Sequence, residues 1–323
     1  MFDNGSTFVQ HKGLDFAAVS EQVNALCESE NSYKVSSSTS DMMSRLSEID
    51  NYSEFGLGSL GRLTGFPAKF VTELYNSNHS LANTILEDRI KHYFERYEKG
   101  FTVREFNDQI CGAVTDKYAF FDDNQVMEII SSSELSNLEF QTVHVSPERL
   151  HLRALDTKHP FTVKGDNSNM YFMYYIDNSM LGGCSFKVRL GVFRQVCSNG
   201  LIVPARNFTI CKQVHRGKKD IMSEFKESLE FISQKRDDII NLLNDCADAD
   251  SKIKNLSDEF RSEYLSKRLA TSKAETKKII DLYSFTYGGK TKWDMVNAIT
   301  EFARDVKSIE RRELLESKAL VIA

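Results

Sequence analysis

The chain has 323 residues, with 41 Lys and Arg against 46 Asp and Glu, a formal net charge of −5 and 41% hydrophobic residues. A chain of about 300 residues buries roughly three quarters of its unfolded surface, so one large domain or two smaller ones are both open. No apolar run approaches the roughly 18 residues of a membrane span; MFDNGSTFVQHKG lacks the basic start and apolar run of a secretory signal; and six scattered cysteines without a CxxC pair read as free thiols of a reducing cytosol.

Residues 1–100 read as an N-terminal helical region. KGLDFAAVSEQVNAL has helical spacing. The polar ESENSYKVSSSTSDMMS has almost nothing to bury and reads as a Ser-rich linker near residues 29–46. Pro67 opens a helix through about Asn76. In HSLANTILEDRIKHYFERYEKG, Leu81, Ile85, Ile90 and Phe94 recur near helical spacing and Gly100 ends the run.

From 101 to 219 the period becomes two. FTVREF, QICGAVT and YAFF are short β-type runs, and DDNQVMEIISSS is a helix capped by Asp122 or Asp123. FQTVHV, a Ser146–Pro147 turn and RLHLRAL form a hairpin; FTV, MYFMYYI, SFKVRLGVFRQV and FTICKQV complete the sheet. Both faces of MYFMYYI are apolar, which predicts a central, covered strand. From 220 to 323 the chain returns to charged helices. These elements predict an α+β fold: a central antiparallel sheet of five or more strands, helices before it, and a helical C-terminal region packed on it.

The chemical motifs are weak. GLGSLG at 56–61 matches G-x-G-x-x-G, but no apolar strand precedes it and Pro67 follows closely, so it reads as a flexible turn rather than a nucleotide site. Cys184, Cys197, Cys211 and His215 offer one tight ligand pair where a structural zinc site needs two, so buried thiols and a surface histidine are expected, with no metal. There is no nucleophile elbow, P-loop or HExxH, and no catalytic residue or cofactor is expected.

Charge placement is the sharper signal. From Asn178 to Lys219 there is no Asp or Glu, yet Lys187, Arg189, Arg194, Arg206, Lys212, Arg216, Lys218 and Lys219 all fall there, which leaves the rest of the chain at −13. In RLHLRAL, Arg149, His151 and Arg153 share one face; in SFKVRLGVF, Lys187 and Arg189 do. If these strands share a sheet, its polar face is a cationic strip suited to nucleic acid. The bland alternative is a solvated face balanced by the acidic helices. Arg194 falls on the apolar parity of its strand. Either a bulge near Gly191 turns it outward, or it is a buried, paired arginine.

Several stretches together resemble the phage- and plasmid-like family of unknown function numbered 932: LTGFPAKFV (63–71), VTDKYAFFDDNQVMEII (114–130), YYIDNSMLGGCSFKVRLGVFRQVCSNGLIVP (174–204), VHRGKK (214–219) and TKWDMVNAITEF (291–302). The most specific piece is R-x-x-C-x-N-G-L, here Arg194, Cys197, Asn199, Gly200 and Leu201. The resemblance implies a mobile-element protein inside a bacterial cell and carries over no catalytic residue. The leading expectation is a homo-oligomeric nucleic-acid-binding protein, for single-strand annealing, recombination or DNA protection, with Arg149, Arg153, Lys187, Arg189, Arg194, Arg206, Lys212, Arg216, Lys218 and Lys219 as binding residues. The alternative is an inhibitor whose acidic helices dock on a host anti-phage defence complex.

Overall fold

The computed structural model describes residues 7–9, 15–36, 42–97, 100–194, 209–217 and 220–322. In chain order its elements are β1 (Thr7–Val9), α1 (Phe16–Glu28), β2 (Glu30–Val35), α2 (Met43–Leu46), α3 (Glu54–Thr64), α4 (Ala68–Ser77), α5 (His79–Arg96), β3 (Phe101–Phe106), β4 (Gln109–Thr115), α6 (Asp123–Ser131), β5 (Glu139–Ser146), β6 (Arg149–Val163), β7 (Asp166–Asn178), β8 (Phe186–Arg194) and β9 (Thr209–Gln213). Six helices follow: α7 (Ile221–Leu229), α8 (Ile232–Asp248), α9 (Asp258–Leu269), α10 (Lys273–Asp281), α11 (Lys292–Arg304) and α12 (Ile309–Ile322). The fold is α+β, as the sequence predicts.

The strands form two antiparallel sheets rather than one. The larger has the order β1-β5-β6-β7-β8-β9 and the smaller β2-β3-β4. Part of the expected linker is therefore strand: Glu30–Val35 pairs with Phe101–Phe106, and the small sheet straddles the boundary expected at residue 100. YAFF, expected to be a strand, is not one. Tyr118 makes only an isolated bridge, to Arg216, and the run leads into α6.

GLGSLG is not a turn but the interior of α3. Glycine normally weakens a helix, but here it permits close approach. A Cβ on Gly56 would lie 2.0 Å from the Ile110 carbonyl oxygen of β4, and one on Gly61 would lie 2.7 Å from that of Phe66. Ser59 adds a direct tie: its hydroxyl donates to Ala113 O at 2.8 Å and accepts from Ala113 N at 3.1 Å. This small sheet and α3–α5 enclose one core, with Leu57, Leu60, Leu86, Ile90, Phe101 and Ile110 buried.

The main core lies between one face of the large sheet and the C-terminal helices. Strand parity fixes that face. Leu150, Leu152 and Ala154 of β6, Tyr174 and Ile176 of β7, and Phe186, Val188, Leu190 and Val192 of β8 are all buried and belong to one cluster with Val296 and Ile299 of α11. β7 is central, between β6 and β8, as its two apolar faces predict. Trp293 of α11 reaches across to the sheet and donates from Nε1 to Asp166 at 3.0 Å. Thr300 of the same helix donates to Val296 O within α11.

Arg104 of β3 joins the two units. Its guanidinium is 2% exposed and meets Glu30 Oε1 at 2.9 Å, Asp122 Oδ1 at 2.7 Å and Met180 O at 3.0 Å. A buried arginine needs this many acceptors, because each uncompensated N–H would cost its full desolvation. Asp122 also caps α6 in a capping box with Gln125, which decides between the two cap candidates.

Candidate functional site

The polar face of the large sheet is built around one carboxylate. The register aligns His144, His151, Asp177, Lys187 and Lys212 in a row across β5, β6, β7, β8 and β9. Asp177 is 5% exposed. Its Oδ1 receives Arg149 Nη2 at 2.8 Å and lies 2.8 Å from His151 Nδ1, and its Oδ2 receives Arg189 Nη2 at 2.8 Å. Burial alone would raise this carboxyl. The hydrogen bond and charge of His151, with the charge of Arg189 and the hydrogen bond of Arg149, hold it well below the usual carboxylate range. One row along the strands, Arg153 and Arg189 both lie over the Tyr175 ring, at 5.3 and 5.4 Å.

The strip is therefore part ion network and part open charge. Arg149, Arg153, Lys187 and Arg189 do share the face that the period-two reading assigned to them, and the pairing of Lys212 with Lys187 puts Lys212 on it too. Arg149 and Arg189 are tied to Asp177, and Arg153 is buried. Lys187 and Lys212 are different. They stand directly opposite each other on β8 and β9, and among the described residues neither has an ion-pair partner. Like charges directly opposed across an antiparallel pair are destabilising.

Arg194 does not belong to the strip. β7 and β8 keep one register from Asp177↔Lys187 to Met170↔Arg194, with no bulge at Gly191. Arg194 thus stays on the helix-covered face. Its Nη2 pairs with Asp166 at 2.8 Å, its Nε donates to Ser168 Oγ at 2.9 Å, and it lies over the Tyr287 ring. Arg206, Lys218 and Lys219, and Cys197, Asn199, Gly200 and Leu201 of the family motif, lie outside the described residues.

Beyond Lys212 the chain runs into a groove that sequence reasoning did not find. Residues 117–119 and 215–217 form a short antiparallel ladder: Ala119 N donates to His215 O at 3.3 Å and Gly217 N donates to Lys117 O at 3.0 Å. The ladder faces α3 and β4 across a cavity of about 510 Å³, whose lining includes Arg62, Lys117, Tyr118, His215 and Arg216 and no carboxylate. Arg62, Lys117 and Arg216 are exposed and, among the described residues, form no ion pair. His215 is not a surface residue as expected but buried, its ring stacked on Tyr118 at 5.3 Å and 11°. Burial pushes its imidazole below the ordinary value, and Nδ1 lies 3.2 Å from the Ala119 carbonyl. Among the described residues, Nε2 has no hydrogen-bond partner. Arg62 was hidden because it lies 116 residues before the acid-free run begins at Asn178, and only the fold brings the two together.

The buried carboxyl of Asp123 behaves in the opposite way to Asp177. Asn178 Nδ2 donates to its Oδ1 at 2.7 Å, but the Arg104 guanidinium is bound to Asp122 instead. Burial pushes Asp123 up to about 7, aided by the Asp122 charge and opposed by the Asn178 hydrogen bond. Among the described residues no group of three His, Cys, Asp or Glu is arranged to hold a metal ion, and no helix is long and apolar enough to cross a membrane.

These features define an α+β protein with a mixed-charge sheet face and a cationic groove. The chain belongs to the family described as domain of unknown function DUF932, whose model matches residues 111–320. The match includes the large sheet from β5 onward and all the C-terminal helices; α3, with Arg62, lies before it. No curated protein and no solved structure matches the chain.

Proposed function

We propose that this protein binds single-stranded nucleic acid, in the service of strand annealing, recombination or DNA protection for a mobile element. The observation that carries the reading is the opposed Lys187–Lys212 pair on β8 and β9, with a separate groove lined by Arg216, Lys117 and Arg62 without a carboxylate beside it in support. Such an arrangement raises its own electrostatic energy, and a phosphate chain relieves it while releasing counterions. No cofactor is called for, since annealing needs charge, aromatic contact and assembly. The test is a fluorescence-anisotropy titration of a single-stranded DNA oligomer across a salt series. Binding should weaken steeply with salt, and Lys187→Ala with Lys212→Ala should lower the slope by about two units. Absence of binding at low salt rejects the reading.

Exposed Phe231, Phe260 and Phe285 on the helical side favour a second reading, a protein contact. For annealing that contact is with further copies of the chain, and light scattering should give a multiple of 36.9 kDa. For an inhibitor of a host defence complex it is with host protein. A monomer that fails to bind DNA and co-elutes stoichiometrically with a purified host nuclease would favour the inhibitor.

A further inference from the structure

The geometry points to a phosphate-reading subsite in the groove between α3 and the 117–119/215–217 ladder. Its ligand class is a nucleoside phosphate, presented as a strand end or as a free nucleotide. The inference builds on the nucleic-acid reading but makes a separate claim: one defined cavity recognises a single phosphorylated nucleotide.

Three features carry it. A volume of about 510 Å³ lies within the range of small-ligand clefts. Arg62, Lys117 and Arg216 come from three separate segments, and no carboxylate in the lining neutralises them. An arginine pair can meet phosphate oxygens through forked donors, with lysine adding a point charge. The stacked Tyr118 and His215 rings then supply an aromatic wall beside these charges, and a base offers a π-face for such a wall. His215 is fixed there by the ladder and by its contact with the Ala119 carbonyl, so the wall is formed before any ligand arrives.

A second lobe extends the site. A neighbouring cavity of about 480 Å³ shares Arg62, Leu63, Thr115 and Lys117 with the first and is lined beyond them by Tyr93 and Tyr97. Arg62 and Lys117 thus stand at the waist between two aromatic-lined lobes. Asp116 lines only the second lobe, which makes the first the better phosphate acceptor.

The test titrates three probes into the intact protein: a short oligothymidylate with a 5′-phosphate, the same strand with a 5′-hydroxyl, and AMP. The variant is Arg62→Ala with Lys117→Ala. Both side chains are exposed, so the fold should persist, and circular dichroism checks it. If the strand end is the ligand, the phosphorylated strand binds about tenfold more tightly than the hydroxyl strand and AMP binds weakly. If the free nucleotide is the ligand, AMP matches or exceeds the phosphorylated strand. In either case the double variant loses the preference. The subsite is rejected if the phosphate confers no advantage and AMP does not bind, or if the preference survives in the variant. Salt-dependent binding of the hydroxyl strand would then leave the strand-binding reading standing without the subsite.

Discussion

Asp177 and Asn178 are neighbours on β7, yet their side chains enter opposite faces of the sheet. On the polar face Asp177 gathers Arg149, Arg189 and His151 and is held ionised. On the covered face Asn178 is the direct hydrogen-bond donor to Asp123, a carboxyl that burial pushes up to about 7. The two carboxylates are similarly buried and chemically identical. What separates them is whether cations reach the oxygen atoms, because desolvation is overcome only by direct charge and hydrogen bonding.

The largest effect should come from pH acting on Asp123. A carboxyl raised from 3.8 to about 7 binds its proton more tightly in the folded chain. Its contribution to stability is complete below pH 3.8 and is lost as pH rises through 7, a cost of about 4 kcal/mol by pH 8. Asp123→Asn should therefore be more stable than the parent at pH 8 and lose that advantage by pH 4, as read by urea melts. An equal advantage at both pH values would place the cause outside ionisation.

Asp177→Ala should cost about 3–5 kcal/mol at neutral pH, since it removes a buried carboxylate shared by two arginines and a histidine. Asp177 also has the opposite pH sign. Its depressed value adds stability above pH 3.8 that is lost as pH falls further, so Asp177→Asn should flatten the acid limb of the melt.

Arg194→Ala should cost about 3 kcal/mol, the low end for a broken buried pair. Asp166 would still receive Trp293 Nε1 and the Ser168 backbone N–H. Because Arg194 lies on the covered face, nucleic-acid affinity per folded molecule should not change. A loss of affinity without a drop in melting temperature would put Arg194 back in the strip.

The smallest effect on stability, and the clearest on binding, should come from Lys212→Glu. It turns the like-charged pair with Lys187 into an attractive one, worth about 0.5 kcal/mol of added stability. Affinity for single-stranded DNA should fall and its salt slope should drop by at least one unit. Unchanged binding would make the strip a solvated face.

Much of the fold was legible because strand parity is local. The placement of Leu150, Leu152 and Ala154 on one face and of Arg149, His151 and Arg153 on the other follows from period two, and so does the central place of β7. A cap of α6 at Asp122 or Asp123 was legible, and the capping box with Gln125 selects Asp122. Two readings failed for a shared reason. GLGSLG is helical because tight packing of α3 on β4 needs glycine at Gly56, and Glu30–Val35 is a strand because β3 offers it a hydrogen-bonding edge. Neither partner is near in sequence.

The sequence by itself determined which side chains alternate, where acids are missing, and that Arg194 had the parity of a core residue. Only the tertiary structure decided which charges meet. Asp177 joins the strip through the register of β6, β7 and β8, Asp166 meets Arg194 across a β7–β8 pairing, and Arg62 reaches Lys117 and Arg216 through the packing of α3 on β4. The physical reason is range. Side-chain alternation follows from the backbone of one strand, whereas an ion pair or a groove depends on segments far apart in the chain being brought within a few ångströms.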